Sequence, residues 1–518
     1  MKWILAFIMI CACQMHLQAQ TPPQPDRFDE ISTLVRNHYM ESINFDSIVE
    51  QMVRDYLNDS ATIRKLLYTL DPYATYFDPD AYTMFMSDLS GSFGGVGLAF
   101  DIVDQQILVS QVFEGTPAFR GGLKVGDRIV QIDDQHFESG QLDYWTVMQS
   151  LRGEVGTEVK ISLLRNDQKP VIAICIREQI HINSVSAAVM LDDRTGYIKL
   201  TAFTAQTAQE VHAALESLLA KGMRQLIFDL RDNPGGYMKQ ATRAADEFLP
   251  QGALMVYTEG RGGRNDVFAT SGGLFEKGPM ILLVNANTAS SGEILTAAIQ
   301  GNERAKVVGQ RTFGKGLVQQ IFPIQDSLEA VKLTTEKYYT PKGVCIQQPF
   351  IESTYTFTRS GEIIYTNDST HADSIAQLIP NWGITPDHFS YTDTTAVRKL
   401  VQALEERNYL LRMTLVSYIQ NRAYIQSFSR YADLEKHFPP DASFIADFEA
   451  YIKQWDADPE NYFGTMDYRP EDMQHAQEIV LQACRAHIAG FLWGTDMYYT
   501  LKCKTDPDVQ QALTLLKK

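Results

Sequence analysis

An α/β core, interrupted by a small β-rich module and flanked by helices at both ends, is the fold class the sequence predicts. Three observations carry it. Apolar strand-length runs alternate with helical periods between residues 196 and 299. Short strands punctuated by glycines fill residues 93–177, and apolar positions at three-to-four spacing dominate both ends of the chain. At 518 residues the chain exceeds one compact core. Its 46 Lys and Arg against 63 Asp and Glu give a net charge of −17, which excludes a polyanion such as nucleic acid as an expected partner.

Residues 1–20 read as a signal peptide. Lys2 is a minimal positive start, and the apolar run from Trp3 to Ala12 is too short to span a bilayer comfortably. Small residues lie near a cut after Leu17-Gln18-Ala19, and Thr21-Pro22-Pro23 reads as an exposed mature start. The expectation is an exported protein, periplasmic or associated with the cell envelope. Two variants stay open: an uncleaved leader kept as an anchor, and a lipid on Cys13, because Ile10-Cys11-Ala12-Cys13 weakly resembles a lipoprotein box. Residues 21–90 form an N-terminal helical region. Its helical stretch, Arg27 to Leu70, carries Ile31, Leu34, Val35, Ile48, Met52, Val53 and Leu57 at helical spacing, and Asp71-Pro72 and Asp78-Pro79 break it.

Residues 91–178 form the β-rich module. Gln106–Ser110, Asp127–Ile132 and Glu158–Leu163 read as strands, with one amphipathic helix from Leu142 to Leu151. Residues 179–392 form the α/β core. Its strands are Gly196–Phe203, Gln225–Leu230 and Met280–Val284, and its helices run from Gln206 to Lys221, from about Met238, and from Ser290 to Ile299. Pro341 to Pro386 is irregular and polar, and residues 393–518 are a helical extension without a readable motif. Outside the leader stand Cys175, Cys345, Cys484 and Cys503; a Cys484–Cys503 disulfide and buried free thiols are both open. Neither C-x-x-C nor H-E-x-x-H spacing occurs, so no metal or organic cofactor has an evident place.

Four segments carry chemistry. In Phe93-Gly94-Gly95-Val96-Gly97-Leu98, a glycine-rich turn entering an apolar strand exposes backbone N–H groups that can receive a carboxylate. With Gly115-Thr116-Pro117-Ala118, Gly121 to Ile129, Leu151-Arg152-Gly153 and Gly156-Thr157 the series resembles a PDZ domain of the bacterial protease-associated type. Such domains bind chain termini by strand addition, and the resemblance gives Val96, Gly97 and Leu98 the task of capping the terminal carboxylate. In Asp229-Leu230-Arg231-Asp232-Asn233-Pro234-Gly235-Gly236, a buried strand ends in a charged turn. Its glycines let the backbone approach a substrate and aim an N–H at a developing oxyanion, though a plain strand-to-helix turn would look similar.

The third segment, Val284 to Ile294, delivers small hydroxyl residues to a helix N-terminus, which favours negative charge. Any one of those hydroxyls, taken alone, could be only a cap. The fourth, Thr312-Phe313-Gly314-Lys315-Gly316-Leu317-Val318-Gln319-Gln320, offers a lysine between glycines. A serine nucleophile needs a base, and His212 is the only histidine between Gly196 and Thr340. A Ser-His-Asp triad would have to import its histidine, whereas a lysine desolvated enough to be neutral could serve in its place.

Together these segments resemble the C-terminal processing peptidases, the tail-specific protease family of serine peptidases. Thr288-Ala289-Ser290-Ser291-Gly292-Glu293-Ile294 aligns without a gap with the family's nucleophile block, and Leu70 to Tyr76 and Gly383-Ile384-Thr385-Pro386-Asp387 resemble its flanking motifs. Ser291 and Gly292 stand where Ala and Ser are usual, and Asn381-Trp382 replaces two glycines. The resemblance implies a crotonase- or Clp-like core with an inserted PDZ domain. It implies Ser290 as nucleophile, Lys315 as base and Gln319 as the support of Lys315. It further implies an oxyanion hole from the amides of Gly235 or Gly236 and of Ser291. The partners would be protein or peptide substrates with free C-termini. A non-catalytic PDZ binding protein on the same scaffold, and acyl-CoA chemistry on a crotonase-like fold, are the rival expectations.

Overall fold

The computed structural model describes residues 27–40, 60–137, 142–165, 170–270, 272–324, 328–349, 355–357, 363–365, 382–390, 395–439, 443–457 and 465–517. The leader, Cys13 and the helical positions Ile48, Met52, Val53 and Leu57 lie outside them. Of the long helix expected from Arg27 to Leu70, the described parts are two helices, Arg27–His38 and Ser60–Tyr68.

The α/β core is built on a six-stranded sheet in the order Val185–Met190, Thr195–Leu200, Gln225–Asp229, Met280–Val284, Lys306–Gly309, His388–Phe389. The first pair is antiparallel and the remaining pairs are parallel, with Phe228 beside Leu282 and Leu283 beside Val308. Parallel strands buried on both faces read as continuous apolar runs, which is why Met280–Val284 contains no polar residue. Alternation then sorts the side chains. Leu226, Phe228, Leu282 and Val284 pack under the helices Thr207–Ala220, Met238–Asp246 and Ser291–Gly301. Ile227, Ile281, Leu283 and Val308 face the other way, where Cys503, Val509 and Ala512 of the last two helices cover them. The end of the helical extension is thus the second wall of the core.

A second sheet, absent from the sequence expectations, carries the lysine loop into the core. Its longest strand, Ala330–Tyr339, pairs with Thr75–Phe77, Leu254–Gly260 and Leu317–Pro323, and Leu254–Gly260 pairs with Gly263–Phe268. The third sheet belongs to the inserted module: Leu98–Val103, Gln106–Val112, Arg128–Ile132, Glu158–Leu164 and Val171–Ile176, with the helix Tyr144–Leu151 closing its core. The chain enters and leaves the module through one antiparallel pair, Ser92–Gly95 with Glu178–His181.

The extension's earlier helices clasp the module. Val103 and Leu108 are buried among them, Asn408 and Arg412 bind Asp101, and Arg422 pairs with Asp127 at 3.5 Å. Among the described residues of the expected irregular stretch from Pro341 to Pro386 there is a short hairpin, Tyr355–Phe357 with Ile363–Tyr365. Cys175, Cys345, Cys484 and Cys503 are all free thiols, so of the two options for Cys484 and Cys503 the structure has the buried thiols.

Candidate active site

The core sheet ends at the candidate site. At the C-terminal edge of Met280–Val284 the chain turns through Asn285–Ala289 before entering the helix Ser291–Gly301. Thr288 Oγ1 accepts from Asn285 N at 3.0 Å and donates to Leu230 O at 2.9 Å, tying this turn to the neighbouring strand. Ala289 N donates to Asn233 O at 2.9 Å. Ser290 then sits at φ 52°, ψ −116°, a left-handed backbone that a non-glycine residue adopts only at a cost of about 1–3 kcal/mol. The surrounding bonds must over-determine that conformation.

Glu293 supplies much of that restraint. Its carboxylate is wholly buried and accepts four hydrogen bonds: Ser290 N at 2.9 Å, Lys315 N at 2.8 Å, Gly314 N at 2.7 Å and Thr312 Oγ1 at 2.5 Å. Burial pushes its carboxyl up to about 7, against the pull of those donors. All four partners are donors, since Thr312 Oγ1 itself accepts from Ile384 N, and this geometry suits the charged carboxylate. Tyr338 completes the clasp from the second sheet. Its buried hydroxyl lies 2.6 Å from Lys315 O and 3.2 Å from Ser290 O. One carboxylate therefore holds the amides of Ser290 and Lys315, and one phenol reaches the carbonyls of both.

Lys315 is pushed down to about 7, first by burial and then by the like charge of Lys332, with Asp71 and Glu293 pulling the other way. Its loop is fixed on the far side by Gly316 N donating to Gln347 Oε1 at 2.9 Å and Gln348 N donating to Gly314 O at 2.8 Å. Gln319 donates to Thr334 Oγ1 at 3.3 Å, and the Thr334 hydroxyl faces the Asp71 carboxyl. Among the described residues its recorded partner is thus Thr334 and not Lys315. His212 is elsewhere, half-exposed on the helix Thr207–Ala220 and bonded to Glu247 at 2.7 Å.

The glycine turn packs directly on this corner. A Cβ on Gly235 would lie 2.8 Å from Ser290 Cβ and 3.0 Å from Ser291 N; one on Gly236 would lie 2.2 Å from Phe203 O. Both glycines have positive φ, 105° and 134°. Gly235 N already donates to Asn233 Oδ1 at 2.9 Å. The amides of Gly236 and Ser291 have no recorded acceptor among the described residues, which makes that pair the available donors. Beneath the turn, burial alone would raise the Asp229 carboxyl. Arg231 at 2.6 Å and Lys199 at 3.3 Å override this and hold it well below the usual range. Arg231 also reaches Asp506 at 2.8 Å and Asp508 at 3.1 Å, so the last helix braces the turn.

In the module, Gly97 adopts φ 79° and a Cβ there would lie 2.3 Å from Thr116 Cβ. Its carbonyl accepts from Phe113 N at 3.1 Å and from Thr116 Oγ1 at 3.0 Å, and Val96 O accepts from Ala118 N at 2.8 Å, which fixes the loop that carries Val96, Gly97 and Leu98. Sequence reasoning did not assign Glu293, Tyr338, Asn233 or Tyr73 a role. Glu293 had a signal, a carboxylate three positions after a hydroxyl residue at a helix start. Tyr338 had none.

A strained serine at a strand-to-helix turn is thus clasped to a half-buried lysine, beside two amides with no recorded acceptor among the described residues. The family model described as Peptidase family S41 matches residues 194–357, and that of a PDZ domain matches residues 94–175. The chain is 32% identical over 338 residues to a carboxy-terminal-processing protease of Bartonella bacilliformis, covering 64% of this chain and 74% of that one. It is 31% identical over 363 residues to a carboxyl-terminal-processing protease of Synechocystis, covering 66% and 83%. A solved structure described as the photosystem II D1 C-terminal processing protease is 24% identical, covering 70% of this chain and 91% of that one at a TM-score of 0.40. This chain belongs to the carboxy-terminal-processing protease family of S41 peptidases.

Proposed function

We propose that this protein is an exported serine endopeptidase that cuts polypeptides selected through their C-terminal tails, with Ser290 as nucleophile and Lys315 as general base. The observation that carries the reading is the double clasp: Glu293 bonds the amides of Ser290 and Lys315, and Tyr338 reaches both carbonyls. Two residues 25 positions apart are held as one unit, as a nucleophile and its base must be.

The chemistry follows from those positions. Lys315 Nζ takes the proton of Ser290 Oγ as the oxygen attacks the peptide carbonyl carbon. The carbonyl electron pair moves to the oxygen, where the amides of Gly236 and Ser291 receive it. Collapse breaks the C–N bond, and Lys315 returns the proton to the departing amine. Water then repeats the sequence on the acyl-serine and releases the acid. A lysine near about 7 is substantially neutral at neutral pH, as this cycle requires. Gln319 supports Lys315 indirectly, through Thr334 and then Asp71. Substrate tails add as a strand beside Leu98–Val103, with the carboxylate at Val96, Gly97 and Leu98.

A serine-directed phosphonylating probe tests the assignment. The adduct should map to the peptide bearing Ser290 and should vanish in Lys315→Ala. A probe adduct elsewhere, or undiminished labelling in Lys315→Ala, overturns it.

A further inference from the structure

Tyr73 lies in the Leu70–Tyr76 segment and has no part in the cycle described above. Its side chain is buried, and its ring sits under the lysine, with Lys315 Nζ 4.6 Å from the ring centroid. The segment is tied down at several points. Asp71 Oδ1 accepts from Tyr73 N at 2.8 Å and Ala74 N at 3.0 Å, and Tyr39 Oη donates to Leu70 O at 2.9 Å. Arg64 donates to Tyr76 O at 3.1 Å, and Thr75–Phe77 is a strand of the second sheet, paired with Ala330–Tyr339. The ring is therefore carried to the lysine by the N-terminal region, not by the core.

We propose that Tyr73 is a positioning residue of the proton transfer, its ring face stabilising the Lys315 ammonium that forms when Ser290 is deprotonated. The inference rests on Lys315 being the base. An aromatic face is negative and attracts a cation, more strongly where water is excluded. Its virtue at this place is moderation. A carboxylate against the amine would hold it charged and idle, whereas a ring favours the ammonium only slightly. The charged groups facing Lys315 come from three elements: Lys332 from the strand Ala330–Tyr339, Asp71 from the N-terminal turn and Glu293 from the helix after Ser290. Lys332 opposes the ammonium and the two carboxyls favour it, while burial raises the Asp71 carboxyl toward its neutral form. The ring adds an attraction whose strength depends on none of these titrations.

The test replaces Tyr73 by phenylalanine and then by mono-, di- and trifluorinated phenylalanine, which drain the ring face while keeping its shape. The readout is the acid limb of kcat/KM against pH on an unfolded polypeptide. Tyr73→Phe should keep the limb within about 0.2 pH units, since the ring face remains. Each added fluorine should move the limb to lower pH, reaching roughly 0.5–1 unit at three fluorines. The plateau should fall by about 3–10-fold, because a less basic amine is a poorer base. A limb that stays put across the series overturns the inference, and since the shapes are matched, misfolding cannot supply that result. Lys315→Arg run in parallel separates the two claims. If it turns over substrate normally, the base assignment fails; if it is dead and the limb is unmoved, only the role of Tyr73 fails.

Discussion

Replacing Lys315 by methionine should stabilise the protein while abolishing turnover, and the gain should disappear as the pH rises. Methionine keeps the length of the side chain and removes the amine. The lysine's ordinary value of 10.5 falls to about 7 in the folded state, because burial and Lys332 disfavour the charged form. The folded chain thus binds fewer protons than the unfolded chain between those values, and stability rises with pH across that window. Below about pH 7 the amine is charged in both states and the folded state bears the full desolvation cost. At about 1.36 kcal/mol per unit that cost has a ceiling near 5 kcal/mol. Lys315 is only partly buried, and solvent screening reduces the figure to roughly 2–4 kcal/mol. Above about pH 10.5 the amine is neutral in both states and the cost is gone. The assay is the denaturant midpoint of the core transition at pH 6, 8 and 10 for wild type and Lys315→Met. The variant should lead by about 2–4 kcal/mol at pH 6 and by under about 1 kcal/mol at pH 10. Equal midpoints at pH 6 would refute the reasoning, since an amine that costs nothing when charged is not held near neutrality by burial.

Three further outcomes are expected. Tyr338→Phe removes the contacts to Lys315 O and Ser290 O, and kcat should fall by about 10-fold, with about 1–2 kcal/mol lost in unfolding experiments; unchanged kcat would release Tyr338 from the clasp. Gly235→Ala drives a Cβ to within 2.8 Å of Ser290 Cβ, so turnover should drop by at least about 100-fold while peptide binding by the PDZ module persists, which steady-state kinetics and titration calorimetry would separate. Mass spectrometry of protein recovered from its native host should find the chain beginning after Ala19. An intact leader contradicts that, and a diacylglyceryl group on Cys13 converts the leader to the lipoprotein form.

The sequence made the parallel core legible because strands buried on both faces leave an unmistakable apolar signature, as in Met280–Val284 and Gln225–Asp229. It did not reveal the second sheet. Ala330–Tyr339 mixes Lys, Thr and Glu with Val, Leu and Tyr, a pattern that marks no core until its partner strands are known. The helical extension shows the same limit in another form. Its amphipathic stripes announce helices, but nothing in Val509 or Ala512 says that they close the far face of the core, nor in Arg422 that it pairs with a PDZ aspartate. At the site, Ser290 and Lys315 could be named from their turns and motifs. Their physical connection could not, because it runs through Glu293 of the helix Ser291–Gly301 and Tyr338 of the second sheet. Gln319 illustrates the difference between naming a residue and knowing its partner, since its amide goes to Thr334.

The claim that Ser290 and Lys315 act together on peptide bonds is tested most directly by product analysis. Wild type, Ser290→Ala, Lys315→Ala and His212→Ala would each be incubated with an unfolded polypeptide carrying a free C-terminus, and the fragments read by mass spectrometry. Wild type and His212→Ala should yield internal cleavage products at similar rates, and the other two none. Fragments from Ser290→Ala or Lys315→Ala at the wild-type rate, or their loss in His212→Ala, would contradict the account.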